Sequence, residues 1–569
     1  MKRAHWMRRS LRSIDGWPLL RSVGLALAVG LSGPVSLAQT GDGPQLRRQG
    51  TATQLVVDGR PFLIRGGELG NSSASNLEYL APHWKTFREL GLNTILAPVY
   101  WDLIEPQEGR FDFRLVDGLV TEARKHDLRL VLLWFGSWKN SMSCYAPSWV
   151  KTDQARFARS VDSTGRSVEI LSPFSIVNRD SDARAFAALM KRLREIDGRE
   201  HTVLMVQVEN EIGMIPSARD HSDEATRAFA SAVPDALTTY IAQHAESLAP
   251  ELRAAWQAAG ARRRGTWAEV FGAGAASEEI FMAWHFARFT EHVTAAGKAE
   301  HPLPMFVNAA LIRPGYQPGQ YPSAGPLPHL IDIWRAGAPS IDFIAPDIYF
   351  PNFVEWSRRY VRGGNPLFVP EALRSPDAAV NSLYAFAAHD AIGFSPFAIE
   401  SIGGPAATLL AASNDIVAQL TPLIVEHQGR GTMAGLLQEH PDNRQPQQVR
   451  LNGYVLQASF ERSSPPSLAE GVLDPAAPQP PRAAWPAGGL VIATGPDEFL
   501  FAGIGVTVTF ATMEPGVQAG ILSVEEGRFV NRAWQNLRWL NGDQTHQGRH
   551  LRLEPGRMSI QRIKLYRYR

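Results

Sequence analysis

Eight short apolar runs recur along the first three quarters of the chain, and helical patterns lie between them. Continuously apolar strands are buried on both faces, as the strands of a parallel sheet are. Leu115–His126 and Ala185–Ile196 carry apolar residues at helical spacing. Eight strands with interposed helices predict an α/β fold, a (β/α)8 TIM barrel. The eight runs are Phe62–Gly67, Asn93–Pro98, Leu130–Phe135, Val203–Val208, Met305–Asn308, Phe343–Pro346, Pro366–Val369 and Phe394–Ile399.

The pattern changes near residue 430. Short alternating strands follow, such as Gln448–Leu456 and Ile560–Tyr566, and a Pro- and Ala-rich loop at 464–487 interrupts them. We therefore expect a catalytic barrel at residues 39–430 and a C-terminal antiparallel β-sandwich domain at 431–569. Within the barrel, residues 214–303 exceed the minimal fold and are predicted to be helical. Ser413 is predicted to cap a helix that runs to His427.

Residues 1–38 have the pattern of a signal peptide. A basic start precedes an apolar run at Val23–Leu31, and small residues at Ser36–Ala38 suit cleavage. This predicts a secreted or periplasmic protein without a membrane span in the mature chain. A retained membrane anchor is the alternative, and Arg8–Arg9 leaves twin-arginine export open beside ordinary secretion.

The charge of the chain argues against a nucleic-acid partner, and its cysteine content argues against thiol chemistry. The full chain has a formal charge of +1, and the leader holds six basic residues and one acid. Cleavage therefore leaves a net charge of 1 − 5 = −4, which argues against a nucleic-acid partner. The single cysteine, Cys144, is expected to be an inert loop thiol.

Two carboxylates follow apolar strands at the edge where barrel active sites lie. Within Val206–Gly213 the strand ends in the pair Asn210-Glu211, and Glu371 ends Pro366–Glu371. Such a pair can cut a glycosidic bond with retention of configuration when one acid protonates the leaving oxygen and the other attacks. We predict Glu211 as acid/base and Glu371 as nucleophile, about 5–5.5 Å apart. The alternatives are a structural ion pair for Glu211 and neutralisation of Arg374 by Glu371.

Several neighbouring side chains are candidates for binding a sugar. Asn210 is predicted to bond the 2-hydroxyl, and Asn308 another hydroxyl. Tyr349 is predicted to hold the nucleophile, with core packing as its alternative. Tyr100 and Trp138 offer aromatic faces to a sugar, although most barrel aromatics belong to the core.

Four further acidic or aromatic residues lie at or near the strand ends. Strand alternation predicts that Glu209 points away from the site into a salt bridge. Glu105 is expected to fix a loop, and Glu68 and Trp134 stay undecided between site and core. No metal or phosphate motif is present in the sequence, so no metal and no cofactor are expected.

These motifs resemble the clan A glycoside hydrolases, and most closely glycoside hydrolase family 35, the retaining β-galactosidases. In that family the glutamate after asparagine is the acid/base and the one ending the seventh strand is the nucleophile, which correspond to Glu211 and Glu371. The matching segments are Gly91–Ile95, Tyr100–Pro106, Gly109–Phe113 and Val206–Gly213.

The chain departs from the family pattern at Gly66–Gly70 and Phe135–Lys139, positions that contact the non-reducing sugar in the family. Gly265–Phe271 and Phe281–Arg288 resemble a divergent bacterial branch with a C-terminal β domain. That branch overlaps family 42 in appearance, and the resemblance implies galactose removal from plant-wall side chains.

The sequence thus predicts a secreted, exo-acting β-galactosidase that works by double displacement on plant-wall oligosaccharides or polysaccharide side chains, as a monomer or homodimer. A β-glucosidase, β-mannosidase or α-L-arabinopyranosidase with the same mechanism is the alternative. A non-catalytic glycan-binding protein and a metal-dependent barrel hydrolase also stay open.

Overall fold

Eight parallel strands form the predicted (β/α)8 barrel in the computed structural model. It describes residues 43–463 and 485–569; the predicted leader at 1–38 and nearly all of the predicted 464–487 loop lie outside the described residues. All eight predicted runs fall on barrel strands. The strands are β1 (Ile64–Glu68), β2 (Thr94–Tyr100), β3 (Arg129–Lys139), β4 (Val203–Asn210), β5 (Met305–Ala310), β6 (Phe343–Asp347), β7 (Phe368–Ala372) and β8 (Gly393–Pro396).

The barrel strands are hydrogen-bonded in the order β6-β5-β4-β3-β2-β1-β8-β7. A parallel bridge between Ile348 and Ala372 joins the two ends of this sheet, where the Ile348 amide donates to the Glu371 carbonyl at 2.8 Å. Because the sheet closes in this way, the C-terminal ends of β4, β6 and β7 face one shared opening.

Helices surround the barrel and fill the insertion after β4. Val116, Leu119 and Val120 bury one face of the helix after β2, as the predicted 3.6-residue period requires. The helices are α1 (Leu77–Leu80), α2 (His83–Glu89), α3 (Trp101–Ile104), α4 (Arg114–Lys125), α5 (Ser148–Thr152), α6 (Ile176–Asp197), α7 (Asp223–Ala230), α8 (Asp235–Gln243), α9 (Pro250–Ala258), α10 (Trp267–Phe271), α11 (Ala275–Glu300), α12 (Ile331–Gly337), α13 (Phe353–Tyr360), α14 (Ala378–Ala388) and α15 (Gly404–His427). Segments α7 to α11 occupy the predicted helical insertion.

Short elements complete the barrel region. Strands Gln45–Gln49 and Ala52–Val57 form an antiparallel hairpin before β1, extended by Arg60–Pro61. A second hairpin joins Arg159–Val161 to Ser167–Leu171. Single 3-10 turns lie at Ser73–Ser75, Arg362–Gly364 and Ile399–Ser401, and a fourth, Asp543–Thr545, lies in the C-terminal part.

The C-terminal part is an antiparallel sandwich of two sheets. The strands are β9 (Met433–Leu437), β10 (Gln447–Leu451), β11 (Tyr454–Phe460), β12 (Gly488–Ala493), β13 (Glu498–Ile504), β14 (Val506–Thr512), β15 (Gln518–Val530), β16 (Ala533–Trp539), β17 (Leu551–Leu553) and β18 (Ser559–Tyr568). One sheet has the order β9-β12-β13-β18-β15-β16, and the other has the order β10-β11-β14-β17. Tyr454 and Leu456 of the smaller sheet share a buried core with Phe499 and Phe501 of the larger sheet.

The larger sheet of the sandwich also packs on the barrel. Leu490 and Ile492 on β12 belong to the same buried cluster as the barrel core. A Cβ on Gly435 would lie 2.5 Å from the Tyr384 ring of α14, so only glycine permits this approach. The sandwich is therefore fixed to the barrel through α14.

The last barrel helix corrects one prediction. Ser413 does not cap a helix: α15 begins at Gly404, and Ser413 lies buried within it and donates to the Ala379 carbonyl at 2.8 Å. The helix starts earlier because its buried positions continue back to Leu409. By length and composition, this helix alone among the described residues is apolar enough to cross a membrane, a test that core helices also pass.

Candidate active site

Acidic side chains at the C-terminal ends of β4, β6 and β7 converge at the opening of the barrel. One carboxylate oxygen from each of Glu211, Asp347 and Glu371 lies within 4.8 Å of the other two. These side chains are 5%, 1% and 3% exposed, respectively. Glu211 and Glu371 are 160 positions apart in the sequence, and the closed barrel brings them into contact distance.

Glu371 is held by neutral donors on three neighbouring strand ends. The Tyr349 hydroxyl donates to Oε2 at 2.7 Å, and the Asn210 amide donates to Oε1 at 3.3 Å. Asn308 Nδ2 lies 3.5 Å from the same Oε1. Arg374 does not neutralise this carboxylate, because its guanidinium donates to the Ala398 carbonyl instead. These contacts fix the rotamer of Glu371 and leave it an acid without a direct guanidinium partner.

Glu211 is positioned through both its backbone and its side chain. Its amide donates to Asn308 Oδ1 at 2.9 Å, and the Asn140 amide group donates to its Oε2. Lys139 Nζ lies 3.9 Å from the same oxygen. The residue has φ = +45°, a left-handed conformation that glutamate rarely adopts. Such strain persists only where surrounding contacts fix it, and it is concentrated at functional sites.

The prediction that Glu209 forms a salt bridge is wrong. This residue also has a positive φ, +63°, so simple strand alternation does not apply to it. Instead of a salt bridge, its Oε2 accepts the Trp138 amide at 2.7 Å, and burial together with the charge of Asp182 raises its pKa well above the ordinary value. Asp182 in turn accepts the indole N–H of Trp134 at 2.9 Å and the Ser137 amide at 3.0 Å.

Four buried acids surround the ammonium group of Lys139. Desolvation, followed by the charge of Glu371, raises the pKa of Glu211 to about 7 and raises those of Glu68 and Asp347 well above their ordinary values. Burial lowers the pKa of Lys139, but the charges of the four acids outweigh this and raise it overall. Fully ionised, the five groups would carry 1 − 4 = −3, so burial and mutual repulsion disfavour ionisation of all four acids together.

The structure brings together five of the seven predicted site residues: Glu211, Glu371, Asn210, Asn308 and Tyr349. It also shows one acid that the sequence reasoning missed, Asp347, which accepts from Asn308 at 2.7 Å and whose Oδ1 has no partner among the described residues. Asp347 is the last residue of β6, so the strand-end rule applied to Glu371 was the signal that could have found it.

Trp138 does not reach the site, and this prediction is wrong. The side chain is fully buried, donates its indole N–H to the Leu171 carbonyl at 3.0 Å and packs on Phe286 and Phe289 of α11. Strand β3 continues to Lys139. Alternation therefore turns Trp138 outward toward the helices and Lys139 inward toward the acids.

Tyr100 is likewise a core residue in this structure. It is 3% exposed, and its ring lies 5.9 Å from that of Phe135 and 5.3 Å from that of Tyr145. The structure does not bring it to the acidic cluster. Trp134 is also fully buried, and Glu105 fixes its loop as expected by accepting the Trp101 indole at 2.9 Å.

A cavity of about 470 Å³ opens beside the acids. Glu211, Asn140, Asp347 and Tyr349 line one part of it, and residues 310–322 after β5 line another. This volume falls within the range of pockets that bury small organic ligands. Glu211 and Asp347 therefore face a space large enough for a sugar.

Comparisons with known proteins match the two parts of the chain separately. Residues 75–296 match the profile of the β-galactosidases of glycoside hydrolase family 42, and residues 410–552 match a domain of unknown function. A β-galactosidase of Xanthomonas manihotis is 35% identical over 111 residues, which are 19% of this chain and 18% of that protein. The barrel part of the chain is thus similar in sequence to β-galactosidases, and the finer assignment to family 35 stays a prediction.

Solved β-galactosidase structures are similar to this chain at 12–14% sequence identity. The enzyme from Bacillus circulans sp. alkalophilus matches with a TM-score of 0.45 and 14% identity, over 64% of this chain and 57% of that chain. The enzyme from Marinomonas ef1 matches with a TM-score of 0.44 and 12% identity, over 64% and 60%. The chain therefore spans less than two thirds of the length of these solved relatives.

Proposed function

We propose that this protein is a retaining β-galactosidase that removes terminal galactose by double displacement. The observation that carries the proposal is the distance between the two acids, since oxygens of Glu211 and Glu371 lie within 4.8 Å of each other. Retaining glycosidases hold their carboxyl groups about 5–5.5 Å apart, whereas inverting enzymes leave about 6.5–9.5 Å for a water molecule.

In the first step, Glu371 attacks the anomeric carbon while Glu211 donates its proton to the departing oxygen. The raised pKa of Glu211, about 7, keeps that proton available at neutral pH. In the second step, Glu211 is ionised and takes a proton from water, which attacks the same carbon, releases the sugar and restores Glu371. The proton given up in the first step is thereby regained in the second.

The choice of galactose rests on the similarity of residues 75–296 to β-galactosidases. A β-glucosidase, β-mannosidase or α-L-arabinopyranosidase would use the same acids, and a panel of aryl glycosides distinguishes them.

We also propose that the protein is exported to the periplasm or beyond and acts there on plant-wall oligosaccharides or polysaccharide side chains. Dimer formation is a further proposal that sedimentation would test.

Two other functions compete with this proposal. A non-catalytic glycan-binding protein would bind sugars in calorimetry without turnover. A metal-dependent hydrolase would lose activity with a chelator, but the ammonium of Lys139, 3.9 Å from Glu211, opposes a second cation among these acids.

The decisive experiment compares wild type, Glu371→Gly and Glu211→Gln on nitrophenyl and dinitrophenyl β-galactosides. We expect Glu371→Gly to lose turnover and to regain it with azide, which replaces the missing nucleophile. Glu211→Gln should lose about 10²–10⁴-fold on the poorer leaving group and much less on dinitrophenol, which departs without a proton. Unchanged turnover in Glu371→Gly would reject the mechanism.

A further inference from the structure

The cavity beside the acids is asymmetric with respect to the two reactive groups. Among the described residues, its wall includes Glu211 but not Glu371. In the proposed mechanism, the atom that Glu211 protonates is the first atom of the leaving group. We therefore place the leaving group in the part of this space that adjoins Glu211.

The segment after β5 forms much of this wall and is fixed to the segment after β4, which carries the proton donor Glu211. Met214 and Ser323 exchange backbone hydrogen bonds at 2.8 and 3.1 Å. A Cβ on Gly213 would lie 2.6 Å from the Pro322 backbone, so the two segments are in close contact. The base of the segment therefore holds a constant position relative to Glu211.

The buried carboxylate of Glu279 also holds the segment after β5 in place. Glu279 on α11 accepts the Tyr321 hydroxyl at 2.8 Å and the Ala324 amide at 3.1 Å, and it pairs with His329 at 2.9 Å. Glu279 itself is 3% exposed. Residues closer to β5 are thus presented to the cavity on a rigid support, which a binding surface requires.

The presented residues suit a second sugar ring. Tyr316 lines the cavity and is 43% exposed, in contrast to the buried Tyr100 and Trp138. Arg313 also lines the cavity, is exposed, and makes no ion pair with any described residue. An open aromatic face accommodates the C–H face of a pyranose, and a free guanidinium donates hydrogen bonds to hydroxyl oxygens.

We propose that Tyr316 and Arg313 form the leaving-group subsite, which binds the sugar next to the terminal residue of an oligosaccharide. This inference rests on the proposed function and adds to it the class of leaving group: a hexopyranose rather than a small alcohol. Tyr316 stacks on its ring, and Arg313 binds its hydroxyls.

The test compares two substrates that share the glycone and differ in the leaving group. β-Galactosyl fluoride leaves no sugar in the subsite, whereas β-1,4-galactobiose does. We expect Tyr316→Ala to lower kcat/KM for the disaccharide about 2- to 13-fold, the range of one aromatic contact, and to leave the fluoride within 2-fold. Arg313→Ala should show the same selectivity.

Two further variants control the test. Tyr316→Phe keeps the ring and should retain most of the disaccharide activity. Tyr566→Ala removes an equally exposed tyrosine (47%) from β18 of the sandwich, far in sequence from the cavity, and should change neither substrate.

Equal losses on fluoride and disaccharide, or no loss on the disaccharide, would overturn the subsite. Hydrolysis of neither substrate by the wild type would instead overturn the proposed function, and the subsite with it.

Discussion

The hydroxyl of Tyr349 donates a hydrogen bond to Oε2 of Glu371 across 2.7 Å. Burial, and then the charge of Glu371, raises the pKa of Tyr349 far above its ordinary value, so the hydroxyl keeps its proton throughout the working pH range. The bond joins the ends of β6 and β7, which the sheet links only through the Ile348–Ala372 bridge. It therefore aligns the proposed nucleophile and strengthens the closure of the barrel.

Replacing Tyr349 by phenylalanine removes this donor and keeps the ring. A hydrogen bond to a charged group contributes about 1.5–3 kcal/mol, so kcat/KM should fall about 10- to 100-fold. The steady-state kinetics of the variant on an aryl galactoside measure this. A variant with unchanged kcat/KM would show that Tyr349 only packs in the core.

The positive charge of Lys139 opposes the rise in the pKa of Glu211 that burial and Glu371 cause. Lys139→Met should therefore raise the pKa of Glu211 further. Because Glu211 must be protonated to act as an acid, the alkaline limb of the kcat/KM profile should move from near pH 7 to higher pH. Lys85→Met serves as the control, because the Lys85 side chain is 84% exposed. A shift to lower pH in Lys139→Met would contradict this electrostatic role.

Trp138 should matter for stability and not for substrate binding. It is fully buried against Phe286 and Phe289, so Trp138→Phe should lower the free energy of unfolding by about 1–2 kcal/mol and leave KM within 2-fold. Chemical denaturation and kinetics measure the two effects. Trp539→Phe, at a 53% exposed position, should change neither, and a large rise in KM for Trp138→Phe alone would restore the sugar-binding prediction.

His285 should destabilise the protein in acid. Burial against Phe174 and Phe281 lowers its pKa to about 3, whereas the unfolded chain titrates near 6.5. Between these values the unfolded state binds more protons, so the free energy of unfolding falls as pH drops from about 6.5 toward 3, by up to about 1.4 kcal/mol per pH unit.

His285→Phe should flatten that dependence, because the titrating group is gone. Urea unfolding at pH 7, 5 and 4 measures it for both proteins. A variant that loses stability with acid as steeply as the wild type would assign the effect to other groups.

The sequence predicted the barrel because strand burial leaves a local signal. Leu130–Phe135 is apolar at every position and Val203–Val208 at every position but Gln207, a pattern typical of strands covered on both faces. Glu211 and Glu371 were predictable for a related reason. An acid placed directly after such a run must lie at the rim of the barrel, where catalytic groups lie.

Side-chain direction at the strand ends was not predictable. Glu209 and Glu211 both adopt positive φ, so alternation along the strand does not tell which of them faces the cavity. The length of β3 similarly decided that Lys139 and not Trp138 points inward. Aromatic character alone does not distinguish a sugar platform from a core residue.

The amino-acid sequence by itself determined the number of barrel strands, the sandwich that follows them and the two acids at the strand ends. Those features depend on hydrophobic period and on position along a strand, which are local properties. Only the tertiary structure decided that Asp347, Lys139 and Glu68 surround these acids and that Tyr316 lies at the cavity. Contacts between residues far apart in the chain depend on how the barrel closes. The charge of each acid in turn depends on how many other charged groups are buried beside it.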